Sequence, residues 1–283
     1  MTPQQYCIEK TKKSGSSFTV SFFFLDKNKR AAMIALYAFC REVDDVVDEC
    51  TDYNVAQTKL NWWKNEIERL YDQKPQHPVS FALEPVIKEF GLAKEHFLEI
   101  IDGMEMDLQF NRYADFKQLQ LYCYRVASVV GLLSAQIFGY QNRNTLKFAH
   151  ALGMAFQLTN IVRDVGEDAR RGRIYIPLDE LKKAKVAEED ILHSNKTPAV
   201  KELIEFQIAR AEGFYDKALR ELPLEDAKQQ RAGLMMAAIY RTLLREIQAD
   251  GAENVLTHRT IIPPFRKLIL ALKAFFKYSY THV

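Results

Sequence analysis

Three oxygen-bearing side chains, Asn160, Asp164 and Asp168, recur at intervals of four in the stretch QLTNIVRDVGED, with Arg163 beside the middle one. A second stripe lies about 120 residues earlier: in YAFCREVDDVVDE, Asp44 and Asp48 stand four apart, and Arg41 precedes them by about one turn. Residues four apart share one face of an α-helix, whereas Asp45 lies about 100° round and is expected to point elsewhere. Aspartate is a poor helix former and like charges at this spacing repel, each effect costing tenths of a kcal/mol. Such a stripe inside an apolar helix therefore calls for a compensating cation. Aspartate and asparagine with no histidine or cysteine nearby are hard oxygen donors, suited to Mg²⁺ rather than zinc or copper. Magnesium keeps several waters and binds a few carboxylates together with phosphate oxygens of a substrate. Two stripes, each with an arginine to take the remaining phosphate oxygens, point to a metal-bridged diphosphate. The plain alternative is a pair of solvated helix faces; matching arginines and apolar neighbours in both stretches favour ligation. Asp102, Glu105 and Asp107 in IIDGMEMDLQF also cluster, but without regular spacing or a neighbouring arginine, and are expected to be mainly structural. The six histidines form no ligand pair.

Helices must position these stripes, because helical periodicity dominates the chain and no set of alternating strands stands out. Asp26 is a plausible N-cap for a helix from about Lys27 through Cys50, and a second spans roughly Val55 to Tyr71 with Leu60, Trp63, Ile67 and Leu70 on one face. A third starts near Pro78 and ends at Gly91; a fourth covers about Lys94 to Phe110. A long apolar helix is expected from Asp115 to Phe138, closed by Gly139, and Asn144 is the expected cap of the helix carrying the second stripe. Two more helices fit residues 199–221 and 225–249, and a last one follows Pro263-Pro264. No repeat, low-complexity segment or long linker divides the chain, so one all-α domain over 1–283 is expected.

Composition agrees with this. Hydrophobic residues make up 48% and charged residues 27%, with only 11 glycines and 9 prolines in 283 residues, a profile that favours a helical globular protein. The net charge of +2, from 39 basic and 37 acidic residues, exerts no global pull on nucleic acid. Cys7, Cys40, Cys50 and Cys123 form no CxxC pair, which suits a reduced, cytoplasmic protein. The N-terminal MTPQQYCIEK lacks the apolar core of a signal peptide, and no run approaches the ~20 apolar residues of a membrane span. The segment LILALKAFFKY at 268–278 is broken by Lys273 and Lys277. It reads either as a basic amphipathic helix lying peripherally on a membrane, at the inner face, or as a terminal helix packed on the body. The packed helix is the expected one.

The two acidic stretches resemble the squalene/phytoene synthase family, the head-to-head prenyl transferases. The resemblance rests on DDVVD, on NIVRDVGED followed by GRIYIP, and on GSSFTVSFFFL, YAFCREVDD, YCYRVASVVG and AIYR, spread from about residue 4 to 270. SGSSF, KLNWWKNEI, DGMEMDL and GEDARRGRIYIP are most similar to the branch that forms presqualene diphosphate in bacterial hopanoid synthesis. The resemblance implies an all-α isoprenoid synthase fold around a central cavity, binding two farnesyl diphosphates with Mg²⁺, or Mn²⁺ in its place. It assigns Asp44 and Asp48 to metal on one wall, and Asn160, Asp164 and Asp168 to metal on the other. Arg41 and Arg163 would bind diphosphate, with Ser17 as a further contact. Tyr37, Tyr124 and Gln157 match chamber-lining positions, with Tyr37 and Tyr124 near the chemistry, and Tyr240 is a further lining residue. Phe18 and Phe22 would face a carbocation, although Phe22 fits core packing equally well. The implied reaction condenses two farnesyl diphosphates to presqualene diphosphate, without NADPH. The alternatives are synthesis of squalene, dehydrosqualene or phytoene, or a non-catalytic helical scaffold.

Overall fold

The computed structural model describes residues 1–14 and 18–279; Ser17 and the side chain of Phe18 lie outside what it describes. The chain forms helices α1 (Pro3–Lys13), α2 (Phe18–Phe22), α3 (Lys27–Glu49), α4 (Tyr53–Tyr71), α5 (Pro78–Phe90) and α6 (Lys94–Gln109). These are followed by α7 (Phe116–Cys123), α8 (Val129–Phe138), α9 (Asn144–Arg170), α10 (Leu178–Ala184), α11 (Glu188–Leu192), α12 (Pro198–Glu221), α13 (Arg231–Asp250) and α14 (Pro264–Ser279). Among the described residues the sole β feature is an isolated bridge between Arg112 and Ile174.

Local chemistry fixes most of the boundaries. The Asp26 carboxylate accepts from Lys29 N–H at 3.0 Å and starts α3. Asp52 accepts from Asn54 and Val55 N–H at 2.8 and 3.1 Å, which starts α4 two residues earlier than the hydrophobic pattern indicates. Gly91, at φ 62°, closes α5 in the left-handed conformation that glycine adopts without strain. Asn144 is the first residue of α9 rather than its cap; the Asn142 side chain accepts its N–H at 3.0 Å. The helix expected from 225 begins only at Arg231. The reason is Asp226, whose buried carboxylate accepts from Gln141 N–H, Asn142 N–H and the Thr145 hydroxyl at 2.8, 3.0 and 2.6 Å. That long-range anchor holds residues 224–226 in a short 3-10 turn.

The expected helix from 115 to 138 is present as α7 and α8 joined by a π turn, Tyr124–Ser128. At 23 residues it is, among the described residues, the one helix long and apolar enough to cross a membrane by length and composition, which corrects the expectation that no run approaches such a span. It is a core element, packed between α6 and α9. Gly153 on α9 permits that packing: a Cβ there would sit 2.6 Å from the Ala127 carbonyl oxygen and from Ser128 Cα, on the π turn itself. The 27-residue α9 is about 40 Å long by its rise per residue. It is the central helix, flanked by α8, α12 and α13. One apolar core gathers around α9, α12 and α13, and a second around α3 to α6; Val126 of the π turn packs against both. Helix α14 packs on α13 and α2 by burying Ala271 and Ala274, as the terminal-helix alternative requires.

Candidate active site

A cavity of about 680 Å³ opens between the two cores. Asp44 and Asp48 enter it from α3, and Asn160, Asp164 and Asp168 from α9, so the two stripes share one hollow. Its polar end also carries Asp107, Glu167, Arg41, Arg163, Arg171, Arg173, Arg259 and Lys267. Its apolar depth is lined by Leu36, Met104, Val130, Phe148, Leu152 and Met236.

Charge is tightly organised at the polar end. Arg41 bridges the carboxylates of Asp44 and Asp45. Asp45 points away from the cavity, as its angular position implies, yet it anchors Arg41 and also pairs with Lys10 at 2.8 Å. Arg163 Nε donates to Asp164 Oδ1 at 2.7 Å, and Arg259 Nε approaches the same oxygen at 2.8 Å. Tyr240 hydrogen-bonds Arg163, so that guanidinium is clamped from two sides. Arg171 and Arg173 reach Asp48 from across the cavity at 3.6 and 3.9 Å. Six acids and six bases thus line one end, which leaves the site balanced and able to exchange partners: carboxylates to a metal, guanidinium groups to phosphate.

Burial raises the acids. Asp44 is pushed up to about 6 by desolvation, against the pull of Arg41, with Asp48 and Asp107 adding repulsion. Asp168 rises to about 7 through burial, then repulsion from Asp164 and Asp107. Crowded, desolvated carboxylates are what a divalent cation would relieve. A second observation fits the same ion: Asn160 Oδ1 is buried without a hydrogen-bond partner, while its amide donates to Gln157 at 3.4 Å. Among the described residues, no three His, Cys, Asp or Glu side chains converge as a ready-made cage. Magnesium does not require one, since one or two carboxylates, water and substrate phosphate complete its octahedron. The donor set therefore fits Mg²⁺ held jointly with a diphosphate.

Tyr37, Phe22, Gln157 and Tyr240 line the cavity as the sequence implies. Tyr37 donates to Ser14 Oγ at 3.1 Å and meets the Phe22 ring edge-on at 6.2 Å. Tyr124 does not line it. Two positions along a helix rotate by about 200°, so Tyr122 and Tyr124 cannot face the same way. Tyr122 takes the cavity side, and Tyr124 packs against His150 at 5.8 Å.

Asp107, set aside in the sequence as mainly structural, belongs to the site. Its carboxylate accepts from the Tyr122 and Tyr175 hydroxyls, both at 2.8 Å. The chain brings Tyr175 there by tying the segment after α9 to the loop after α6: Ile174 N–H donates to the Asn111 carbonyl at 3.0 Å, and Leu178 N–H to that of Tyr113 at 2.9 Å. Arg171, Arg173, Arg259, Lys267 and Glu167 were likewise unflagged. The first two sit in the quoted GEDARRGRIYIP segment, where the adjoining acids were a usable signal; Arg259 and Lys267 carry none in sequence. Desolvation raises Asp107 to about 6, although both tyrosine bonds oppose the rise. A carboxyl group raised above its unfolded value binds more protons when folded, so it lowers stability as pH climbs from about 4 to about 6. The Asp107→Asn variant should therefore gain on the parent chain as pH rises: its melting temperature relative to wild type should be higher at pH 7 than at pH 4.5. A difference independent of pH would contradict that assignment.

The architecture is that of the all-α isoprenoid synthase fold, which the chain shares with a dehydrosqualene synthase solved with a ligand: TM-score 0.89, 30% identity, 98% of this chain and 97% of that one. The squalene synthase HpnC from Alicyclobacillus acidocaldarius is also similar, with TM-score 0.78 and 27% identity over 88% of this chain and 94% of its own. Residues 11–266 match the family model for squalene/phytoene synthase, and the chain belongs to that family. In sequence it is 35% identical to phytoene synthase 3, chloroplastic, of Zea mays over 96% of this chain, and spans 65% of that relative's length. Identity to phytoene synthase of Arthrospira platensis is also 35%, over 94% of this chain and 90% of the relative.

Proposed function

We propose that the chain condenses two farnesyl diphosphates head to head, with release of diphosphate, and stops at presqualene diphosphate. The observation that carries this is the meeting of both acidic stripes with five arginines at one end of an otherwise apolar cavity. Asp44 and Asp48 would hold Mg²⁺ on one side, and Asn160, Asp164 and Asp168 on the other; Mn²⁺ could replace it. When bound, the metal supplies Lewis-acid stabilisation of negative charge on the departing diphosphate. Arg41, Arg163, Arg171, Arg173 and Arg259 bind and orient phosphate oxygens. Burial pulls Arg163 down, but the hydrogen bond and charge of Asp164 push it up and prevail, so the guanidinium stays charged. Leu36, Met104, Phe148 and Leu152 keep water from an allylic cation. Phe22, Tyr37 and Tyr122 supply aromatic lining, and a ring face turned to the cation would contribute about 0.5–2 kcal/mol. Tyr122 and Tyr175 are poor proton acceptors, since burial raises both phenols well above 10 and Asp107 takes their hydrogen bonds. Released diphosphate, or another tyrosine of the pocket, would receive the proton lost on cyclopropane closure.

The similarity to a dehydrosqualene synthase over nearly the whole chain supports a substrate of farnesyl size. Synthesis of phytoene from a longer prenyl diphosphate is the second reading, favoured by the names of the relatives at 35% identity. Val126 packing against both cores supports a single domain. The test is product identification by mass spectrometry from purified protein, Mg²⁺ and either farnesyl or geranylgeranyl diphosphate, with and without NADPH. Presqualene diphosphate, unchanged by NADPH, is expected from farnesyl diphosphate. Preferential formation of phytoene would replace the first reading with the second, and no diphosphate release from either substrate would leave a scaffold.

A further inference from the structure

Helix α14 buries one face against the body and leaves another open. Phe265 is 75% exposed, Leu268 43% and Phe276 53%, and with half-buried Leu272 they form one stripe at helical spacing. Arg266, Lys273 and Lys277 each follow an apolar stripe residue by one position, so the three cations line one edge of the stripe. Arg266 makes an exposed pair with Glu246 at 2.6 Å; Lys273 and Lys277 face solvent. The apolar surface continues beyond the helix: Ile261 is 69% exposed, and Phe23 72%, beside the Phe24 ring that packs on Phe275 at 5.1 Å.

We propose that this face docks the protein on a bilayer containing anionic lipids. The apolar stripe enters the headgroup boundary while the basic edge meets lipid phosphates. Charge selects the bilayer over a second copy of the chain. Helix α14 has no acidic residue, so pairing two such faces would bring like charges together. The position of the face gives docking a consequence: Thr260, Ile261 and Lys267, in or next to it, also line the cavity. Docking would thus bring the rim of the cavity to the lipid. The surface argument does not depend on which prenyl diphosphate the cavity accepts.

The test is co-sedimentation of the full chain with phosphatidylcholine vesicles, with and without phosphatidylglycerol, compared with the Phe265→Ser/Phe276→Ser and Lys273→Glu/Lys277→Glu variants. All four side chains are exposed, so melting curves should match wild type. Wild type should bind the anionic vesicles and release as salt rises. Both variants should bind on the order of tenfold or more weakly. Equal binding by wild type and variants, or no binding to either vesicle, would overturn the proposal. So would a wild-type dimer in sedimentation velocity that the Phe265→Ser/Phe276→Ser variant abolishes while vesicle binding persists unchanged.

Discussion

The Asp164→Ala variant is expected to fold and to lose diphosphate release from farnesyl diphosphate by roughly 10²–10³-fold or more, the usual loss when one pre-aimed stabiliser of developing charge is removed. Asp164 occupies the middle of the α9 stripe and touches both Arg163 and Arg259. Removing it takes a ligand from the metal and loosens two guanidinium groups that would hold phosphate. Stability should change little, because the carboxylate also repels Asp168, whose pKa rises partly on its account after burial. Asp164→Asn separates shape from charge: it keeps the volume and an acceptor oxygen, yet should lose nearly as much activity. Rates of diphosphate release at saturating Mg²⁺, alongside melting curves, check both. A folded Asp164→Ala protein with wild-type turnover would remove the α9 stripe from the account.

The Gly166→Ala variant should be strongly destabilised, although alanine is the better helix former by about 1 kcal/mol. Its Cβ would lie 2.1 Å from the Leu256 carbonyl oxygen and 2.7 Å from that of Val255, both backbone atoms of the 3-10 turn Ala252–Leu256. Backbone cannot swing aside as a side chain can, so α9 or the turn must shift. The overpacking cost of about 3 kcal/mol exceeds the propensity gain and, at roughly 2–4 °C per kcal/mol for a chain of this size, lowers the melting temperature by several degrees. Gly213→Ala on α12 is the matched control. Nothing lies within 4 Å of a Cβ there, so only the propensity term acts and the variant should melt slightly higher. Because Gly166 lies two residues from both Asp164 and Asp168, the shift in Gly166→Ala should also weaken catalysis at temperatures where the variant remains folded. Equal melting temperatures for the two variants would contradict the close approach of α9 to residues 252–256.

Helices whose signals are local were legible in the sequence: α3 with its Asp26 cap, α5 with Pro78 and Gly91, and the two acidic stripes at i, i+4. Helix α1 carries a local signal as well: Thr2 and Gln5 form a capping box around Pro3, with bonds of 2.9 and 3.2 Å. Features set by distant contacts were not. The delayed start of α13 depends on Asp226 reaching residues 141–145. The role of Asp107 depends on Tyr175, which arrives through bonds between residues 174–178 and 111–113. Choosing Tyr122 over Tyr124 needed the rotation of one helix about its axis, which spacing leaves open when both residues are aromatic. Arg259 and Lys267 sit in segments with no pattern of their own and join the site because α14 folds back over α13 and α2.

The central claim is that the α3 and α9 stripes together hold divalent metal around a prenyl diphosphate. A crystal structure with Mn²⁺ and a non-hydrolysable thiolodiphosphate analogue of the farnesyl substrate tests it most directly, because anomalous scattering locates the metal independently of the ligand. The account predicts metal peaks within bonding distance of Asp44 or Asp48 and of Asn160, Asp164 or Asp168, with the diphosphate between them and its chain among Leu36, Phe148 and Leu152. A diphosphate bound elsewhere, or peaks that touch neither stripe, would contradict it.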